Sequence, residues 1–296
     1  MRSDHDRWLD AVIRDRAPLA PLPTLVAPRI PTLTNIHAVV FDVYGTLLIS
    51  GTGDVGSSDD SDDGAAIRDA MAAVGWPQEN ARIPSIDQMR CEIRRSNDER
   101  MSESCPKPEV DIFDIWRRTL IAADLAQYAE QTDRVAALAA HYEAKANPTW
   151  PMPGAKELLR TLASSDLPLG IVSNAQAFTL PLVEDLVGGP VQEHGFDLDL
   201  CIYSFRYRQA KPSPRLFDAL RAGLRRRGIL PQQTLYVGND KLNDIWAAAQ
   251  AGIRTAWFAG DLRSCRPRTD DPRCASLEPD LVLTELSQLP GCLGIK

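Results

Sequence analysis

Two kinds of apolar spacing alternate along the second half of the chain. After about residue 148, short apolar runs such as LGIVSN, TLYVGND and RTAWFAG are separated by segments whose apolar residues lie three and four positions apart. The short runs predict buried strands and the segments between them predict helices. Because strands that alternate with helices form a parallel sheet covered on both faces, we expect an α/β fold with a Rossmann-like, doubly wound parallel sheet.

A different pattern occupies the stretch from about residue 65 to residue 147. Its apolar residues keep helical spacing throughout, as in AAIRDAMAAVG and TDRVAALAAHYEAKA, and no strand pattern interrupts them. The Gly/Ser/Asp-rich segment GTGDVGSSDDSDDG precedes this stretch and is a candidate domain boundary. The pattern predicts an α-helical domain inserted into the core. The predicted ranges are 50–147 for the inserted domain, and 36–49 with 148–296 for the core.

Residues 1–35 read as an N-terminal extension of the core. Trp8 to Arg16 has the spacing of a short helix, and the segment APLAPLPTLVAPRIP follows it. Proline-rich segments are extended and cannot continue a helix. We therefore expect a proline-rich arm that lies on the surface and covers an edge of the core.

Composition narrows the classes of partner and compartment. The net charge of -7 argues against a nucleic-acid surface. No apolar run approaches the roughly 18 residues that a membrane span needs, and the charged start MRSDHDRWLD lacks the apolar core of a signal peptide. The six cysteines form no C-x-x-C pair, so we expect free thiols, no zinc site and a cytoplasmic protein. The oligomeric state is left open.

Polar residues that could take part in catalysis lie where the predicted strands end. Asp42 ends the apolar run AVVF, a position at which an ionised group is costly unless something pairs with it. Ligands of such sheets bind at the carboxyl ends of the strands. A carboxylate can act as a nucleophile, oxygen ligands can hold Mg²⁺, and a lysine with a hydroxyl can neutralise phosphoryl oxygens. The other strand-end residues are Ser173, Asn174, Lys211, Asn239, Asp240, Asn243 and Asp244.

These residues resemble, in order, the four motifs of the haloacid dehalogenase-like hydrolases. DVYGT at 42–46 matches the first motif, Ser173-Asn174 the second, KPSP at 211–214 the third and GNDKLND at 238–244 the fourth. The resemblance covers roughly residues 36–296, and the helical stretch stands where the family places a C1-type cap domain. Each motif alone is weak, but the ordered set is specific.

The resemblance implies hydrolysis through an aspartyl intermediate. Asp42 would be the nucleophile, and Ser173 and Lys211 would hold and neutralise the transferred group. Thr46 and Asn174 would be the substrate-binding residues. A family member of this kind would use Mg²⁺ and release phosphate from a small phosphorylated metabolite. The metal ligands would be Asp42, the backbone carbonyl of Tyr44, Asp240 and Asp244.

Two departures leave a second activity open. Tyr44 stands where phosphatases of the family carry an acid that serves the leaving group, and a tyrosine with a pKa near 10 is a poor base. A tyrosine here resembles the 2-haloacid dehalogenases, which need no metal. Asn239 stands where the first acid of the fourth motif is common, although Asp240 is adjacent. Phe217 stands where dehalogenases favour tyrosine, and the arginine that would accept a halide is not assigned among Arg90, Arg94, Arg95 and Arg117.

We expect the metal-dependent activity because of the charge that the site would carry. Asp42, Asp240 and Asp244 would place three negative charges in one pocket, which a divalent cation would relieve. A metal-independent 2-haloacid dehalogenase is the first alternative, and a non-catalytic binding protein is the second. Asp240 has a simpler interpretation beside its metal role, as the N-cap of the helix near DIWAAAQ. GTGDVG matches G-x-G-x-x-G, but the acidic run after it does not suit a dinucleotide.

Overall fold

The computed structural model describes residues 11–14, 16–51, 63–77 and 83–295. Most of the segment GTGDVG and the start of the helix predicted from Trp8 lie outside these residues. Eight strands are present in the described part. They are β1 (Ala38–Phe41), β2 (Leu48–Ser50), β3 (Thr149–Pro151), β4 (Leu169–Ser173), β5 (Phe196–Tyr203), β6 (Thr234–Gly238), β7 (Arg254–Phe258) and β8 (Leu281–Leu283).

Six of these strands form one parallel sheet in the order β5-β4-β1-β6-β7-β8. Phe41 of β1 pairs with Ile171 of β4 on one side and with Val237 of β6 on the other. Every residue of β1, β4 and β6 is buried, because helices cover both faces. The α/β, Rossmann-like fold predicted from the sequence is therefore confirmed. The chain order reverses beside β1, which is where such sheets bind ligands.

Twelve α-helices accompany the strands in the described residues. Their bounds are α1 (Ala11–Arg14), α2 (Asp63–Ala73), α3 (Ile86–Arg100), α4 (Ile112–Ala122), α5 (Ala126–Ala129), α6 (Thr132–Ala146), α7 (Ala155–Ala163), α8 (Thr179–Val187), α9 (Ser204–Tyr207), α10 (Pro214–Arg226), α11 (Ala247–Gln250) and α12 (Leu289–Cys292). A π-helical turn, Lys241–Trp246, leads directly into α11. No described helix combines the length and apolar character that crossing a bilayer requires.

Helices α2 to α6 lie between β2 and β3 in the sequence, and we call residues 63–146 the helical insert. Strands β2 and β3 pair antiparallel at its base, with Leu48 opposite Pro151. The sequence did not predict this ribbon, because three residues are too few to show a strand period. Trp116 is fully buried in the insert, and its ring meets the edge of Tyr142 at a centroid distance of 5.1 Å. The predicted boundaries of 50–147 stay a prediction.

The proline-rich arm runs along the far edge of the sheet. Arg29 forms an antiparallel bridge with Val282 of β8, and the hydroxyl of Thr24 donates to the carbonyl of Ala259 at 2.6 Å. The N–H of Leu22 donates to the Asp261 carboxylate at 3.0 Å. The arm therefore occupies hydrogen-bonding positions that an exposed edge strand would offer to another chain, which is the covering role we expected.

All six cysteines are free thiols, as the sequence predicted.

Candidate active site

The carboxyl ends of β1 and β4, with the start of α10, bring the predicted catalytic residues together. Asp42 directly follows β1, and its N–H donates to the carbonyl of Val237 at 2.9 Å, which fixes it against β6. Ser173 is the last residue of β4 and is fully buried. Lys211 precedes α10 and is 4% exposed, while Asp42 is 6% exposed. Sequence reasoning thus placed Asp42, Ser173 and Lys211 at the same edge of the sheet.

The ammonium of Lys211 is the centre of the site. Its Nζ lies 2.8 Å from Asp42 Oδ1, 2.6 Å from Asp244 Oδ1, 3.0 Å from the Tyr236 hydroxyl and 3.1 Å from the Val172 carbonyl. An ammonium has three N–H groups, so these four acceptors share them. Burial lowers the pKa of Lys211, but the charges of Asp244 and Asp42 outweigh burial and leave it raised. The lysine is therefore charged across the physiological range.

Asp244 shares this ammonium with Asp42 and is buried more completely. Its Oδ1 accepts from Lys211 and from the Tyr236 hydroxyl, and its Oδ2 accepts from the N–H of Asp240 at 2.8 Å. Burial raises the pKa of Asp244, and the attraction of Lys211 offsets only part of that rise. A Cβ on Gly238 would lie 2.5 Å from the Asp244 carboxyl carbon, so only glycine lets Asp244 pack against the end of β6.

Tyr236 was not predicted as a site residue. It lies inside β6, where a tyrosine is indistinguishable from an ordinary core aromatic by spacing alone. Its hydroxyl lies 2.7 Å from the Val172 carbonyl and 3.1 Å from Asp244 Oδ1, and these two acceptors share its single proton. A tyrosine within an apolar, buried strand needs a hydrogen-bond partner for its hydroxyl, and this need is the sequence signal that could have suggested Tyr236 as a site residue.

Asp240 pairs with Arg268 and is not among the hydrogen-bond partners of the Lys211 ammonium. The Nε of Arg268 lies 3.1 Å from both carboxylate oxygens of Asp240. The same carboxylate accepts from the N–H groups of Leu242 and Asn243 at 2.8 and 3.1 Å, and so caps the π-helical turn. The simpler interpretation of Asp240 as an N-cap is confirmed. Arg268 was not predicted, because it stands in an irregular loop 28 residues away from its partner.

The two predicted substrate-binding residues hold the site loops in place. Thr46 donates from its hydroxyl to Asn239 Oδ1 at 3.1 Å, and Asn239 Nδ2 donates to the Ser264 carbonyl at 2.6 Å. Asn174 Oδ1 accepts from the backbone N–H of Lys211 at 2.7 Å. These bonds tie the loop after β1 to the loop after β6, and the end of β4 to the lysine. Both residues therefore lie where the sequence placed them, and contact with a substrate stays a prediction.

The acids that the sequence predicted as magnesium ligands contact protein cations in this structure. The predicted ligands were Asp42, the Tyr44 carbonyl, Asp240 and Asp244. Asp42 and Asp244 share the charge of Lys211, and Asp240 is paired with Arg268. Among the described residues, no three acidic, histidine or cysteine side chains are arranged to hold a metal ion. Lys211 and Arg268 thus supply part of the positive charge that the sequence analysis assigned to a divalent cation, and the metal ligands stay a prediction.

Tyr44 is buried beside Asp42 with its proton firmly held. Its hydroxyl hydrogen-bonds with Thr179 at 2.9 Å. Burial raises the pKa of Tyr44 far above its usual value, and the charges of Glu143 and Asp42 raise it further. A phenol of this kind neither gives up nor takes a proton readily near neutral pH.

A cavity of about 230 Å³ lies between the helical insert and the loop after β4. Gln176 of that loop donates to the Val110 carbonyl at 3.1 Å and accepts from the N–H of Ile112 at 3.0 Å, which joins core to insert. Glu143 of α6 also lines the cavity. Burial raises the pKa of Glu143 to about 7, while a bond donated by Asn147 Nδ2 at 3.2 Å lowers it only in part.

Replacing Glu143 with glutamine is expected to stabilise the protein above neutral pH. Because the folded-state pKa of about 7 exceeds the ordinary 4.5, stability falls as pH rises between these values. The neutral amide avoids that loss, so the free energy of unfolding should be higher by about 3 kcal/mol at pH 8 and unchanged at pH 4. Urea unfolding of both proteins at the two pH values measures this. Equal free energies of unfolding for the wild type and Glu143→Gln at pH 8 would show that burial does not oppose the ionisation of Glu143.

The family model of haloacid dehalogenase-like hydrolases matches residues 36–252. Solved structures similar to this chain include a 2-haloacid dehalogenase from Pseudomonas syringae pv. Tomato DC3000, with 23% identity over 88% of this chain and 98% of the other, and a TM-score of 0.57. A defluorinating L-2-haloacid dehalogenase has 20% identity over 90% and 100%, with a TM-score of 0.54.

A HAD phosphatase from Thermococcus onnurineus is also similar, with 20% identity over 88% of this chain and 99% of the other, and a TM-score of 0.50. No curated protein matches the chain. Identities this low support a shared fold, which dehalogenases and a phosphatase hold in common, so the choice of reaction has to come from the site.

Proposed function

The chain belongs to the haloacid dehalogenase-like hydrolases, and from this premise we propose that it hydrolyses the carbon–halogen bond of a small 2-halocarboxylate without a metal ion. Asp42 is the nucleophile in this proposal, and Lys211 orients its carboxylate. The helical insert acts as the cap that encloses the substrate. The sequence favoured a magnesium-dependent phosphatase, and the contacts of the carboxylates with Lys211 and Arg268 support the first alternative instead.

The observation that carries the proposal is the raised pKa of the buried Tyr44 hydroxyl. In an in-line displacement the leaving group departs on the side opposite the nucleophile, so an acid that serves it must stand across the substrate from Asp42. The alkoxide that leaves a phosphate ester needs such a proton, and the raised pKa of Tyr44 makes it a poor donor. A halide is a very weak base and leaves without one. The site therefore suits a halide better than an alkoxide.

Asp244 stands on the other side of the reaction, with the nucleophile. Because Lys211 bonds to both carboxylates, Asp244 lies near the carboxyl carbon of Asp42 and not near the leaving group. Its raised pKa suits a general base that works near neutral pH. Asp244 is thus the group we assign to the second step, in which water attacks the ester.

The two steps balance without a further reactant. A carboxylate oxygen of Asp42 attacks the halogen-bearing carbon, the carbon–halogen bond breaks, and the halide leaves with its electron pair. Water then attacks the Asp42 carboxyl carbon of the ester and passes a proton to Asp244. The bond between that carboxyl carbon and the ester oxygen then breaks, the ester oxygen stays on the substrate carbon and takes up a proton as the hydroxyl of the product, and the oxygen of the attacking water completes the restored Asp42 carboxylate. The products are a 2-hydroxycarboxylate, a halide and a proton.

A paired assay tests the proposal. Purified protein is incubated with 2-chloro- and 2-bromocarboxylates, with and without EDTA, while a panel of phosphate esters is incubated with and without Mg²⁺. We expect halide release that EDTA does not change, and none from Asp42→Asn. Phosphate release that requires Mg²⁺ would instead support the phosphatase. Release of neither product would contradict both activities and favour the binding protein.

A further inference from the structure

We propose that the cavity lined by Glu143 and Gln176 takes the distal end of the substrate, and that this end carries an ammonium group paired with Glu143. The inference rests on the proposed function for the reacting end of the substrate and adds the chemistry of the other end. It predicts a substrate with an electrophilic carboxylate head and a cationic tail.

The cavity has the size and the walls for a short aliphatic chain. Its volume of about 230 Å³ equals the share of roughly eight liquid waters at about 30 Å³ each. Much of its wall is apolar, with Ile86, Met89 and Ile93 from α3 and Ile112 from α4. An apolar stem would gain burial against these side chains. The polar groups at the cavity then decide which tail is accepted.

The ionisable polar groups of the wall are mainly acidic, and Glu143 is the carboxylate that lacks compensation. Asn147 is its hydrogen-bond partner, and no described Lys, Arg or His forms an ion pair with it. Glu109 on the same wall differs, because Ser204, Gln176 and the N–H of Val110 all donate to it. An ionised carboxylate in a closed apolar site is costly without a partner, so Glu143 is the group that a cation would satisfy.

Arg90 also lines the cavity, but no ion pair joins these two described side chains, Arg90 and Glu143. A ligand ammonium in the cavity would supply the cation that Glu143 lacks among the described residues. A charge-assisted hydrogen bond of this kind contributes about 1.5–3 kcal/mol, which corresponds to roughly ten- to hundredfold in affinity. A second carboxylate on the tail would be repelled by Glu143 and Glu109.

The position of the cavity links this tail to the reacting end. The hydroxyl of Thr179 hydrogen-bonds with the Tyr44 hydroxyl at 2.9 Å and accepts from the N–H of Gln176 at 3.3 Å, so the cavity wall is connected to a residue two positions from Asp42. Gln176, which lines the cavity, is two residues from Asn174, whose side chain holds the backbone of Lys211. A molecule that spans the two places would meet the Lys211 ammonium at one end and the Glu143 carboxylate at the other. Opposite charges at its two ends match this arrangement.

Calorimetric titration of the full chain at pH 8 tests the tail without any turnover. The probes are n-pentylammonium chloride and n-pentanol, which share one carbon chain and differ in the head group. We expect the ammonium to bind at least about tenfold more tightly than the alcohol. Equal binding of ammonium and alcohol, or tighter binding of the alcohol, would overturn the proposal. This comparison needs only the wild-type protein.

Variants then assign the effect to one carboxylate. Glu143→Gln should bring the ammonium and the alcohol to similar affinities, while Glu130→Gln removes an exposed charge of the insert and should leave the preference intact. A preference that survives Glu143→Gln would also overturn the assignment. The two proposals are tested together by comparing halide release from 6-amino-2-chlorohexanoate with halide release from 2-chlorohexanoate, which lacks the terminal amino group. Ammonium binding without halide release would refute the proposed reaction alone, and halide release without ammonium preference would refute this inference alone.

Discussion

Replacing Lys211 with methionine is expected to lower the free energy of unfolding by about 3–5 kcal/mol at pH 8 and to remove turnover. The ammonium is buried and bonds to Asp42 and Asp244, so its loss leaves two buried carboxylates without a cation. Removing one partner of a buried ion pair costs this much because the remaining charge stays out of water. Methionine keeps much of the aliphatic length, so the change reports on charge more than on packing. Urea unfolding and halide release measure the two effects.

The pH dependence of this loss separates charge from packing. The raised pKa of Lys211 means that its stabilising contribution is present throughout the neutral range and is lost only as pH rises through that value. In Lys211→Met the carboxylates resist ionisation more strongly than before. We therefore expect the stability deficit to shrink as pH falls towards 5, where Asp244 with its already raised pKa takes up a proton. A deficit that is constant from pH 8 to pH 5 would point to packing.

A second substitution and a surface control complete the test. Asp244→Asn in the Lys211→Met background removes one of the two uncompensated charges and should recover part of the stability but none of the activity. Lys145→Met breaks the ion pair with Asp69 on the surface, where solvent screens the charges, and should change stability little. Equal losses for Lys211→Met and Lys145→Met would contradict the central role of the buried ammonium.

The sequence predicted the residues at the strand ends because one rule places them. Parallel strands end at the same edge of a sheet, so Asp42, Ser173 and Lys211 could be brought together from the pattern of apolar runs and motifs alone. Asp240 was correctly interpreted as a cap, since a strand followed by a helix calls for one. These inferences rest on local patterns and on a fold-level rule that needs no side-chain detail.

No comparable rule predicts from the sequence which basic side chains pair with the acids of the site. Arg268 reaches Asp240 from an irregular loop with a positive backbone φ of 52° at the arginine, and nothing in the spacing of that loop predicts the pair. Glu143 looks like any helical glutamate in the sequence, and its burial depends on how α6 packs against its neighbours α2 and α4 in the insert. Counting acidic residues in the sequence therefore could not show whether the site needs a metal ion, because the answer depends on which basic side chains pair with those acids in the fold.

Asp244→Asn is expected to release one halide per active site in a rapid burst and then to turn over about a thousandfold more slowly than the wild type. Asp42 and Lys211 remain in place, so the ester can form. The general base for its hydrolysis is lost, so the ester accumulates. Rapid-quench measurement of halide on the best substrate of the panel gives the burst, and intact-protein mass spectrometry should show the added acyl group. A linear time course without the added mass would show that Asp244 does not serve the second step.

Two matched variants make this outcome specific to the carboxylate of Asp244. Asp42→Asn removes the nucleophile and should show neither a burst nor the added mass. Asp240→Asn changes an acid of the same turn whose carboxylate faces Arg268, so it should show no burst and keep a linear time course. If Asp240→Asn abolished activity and the wild type required Mg²⁺, Asp240 would have to leave Arg268 for a metal, and the metal-dependent reaction would replace the one proposed. The three acids thus separate the two chemistries: Asp42 is needed in both, Asp244 sets the fate of the ester, and Asp240 matters to turnover only where a metal does.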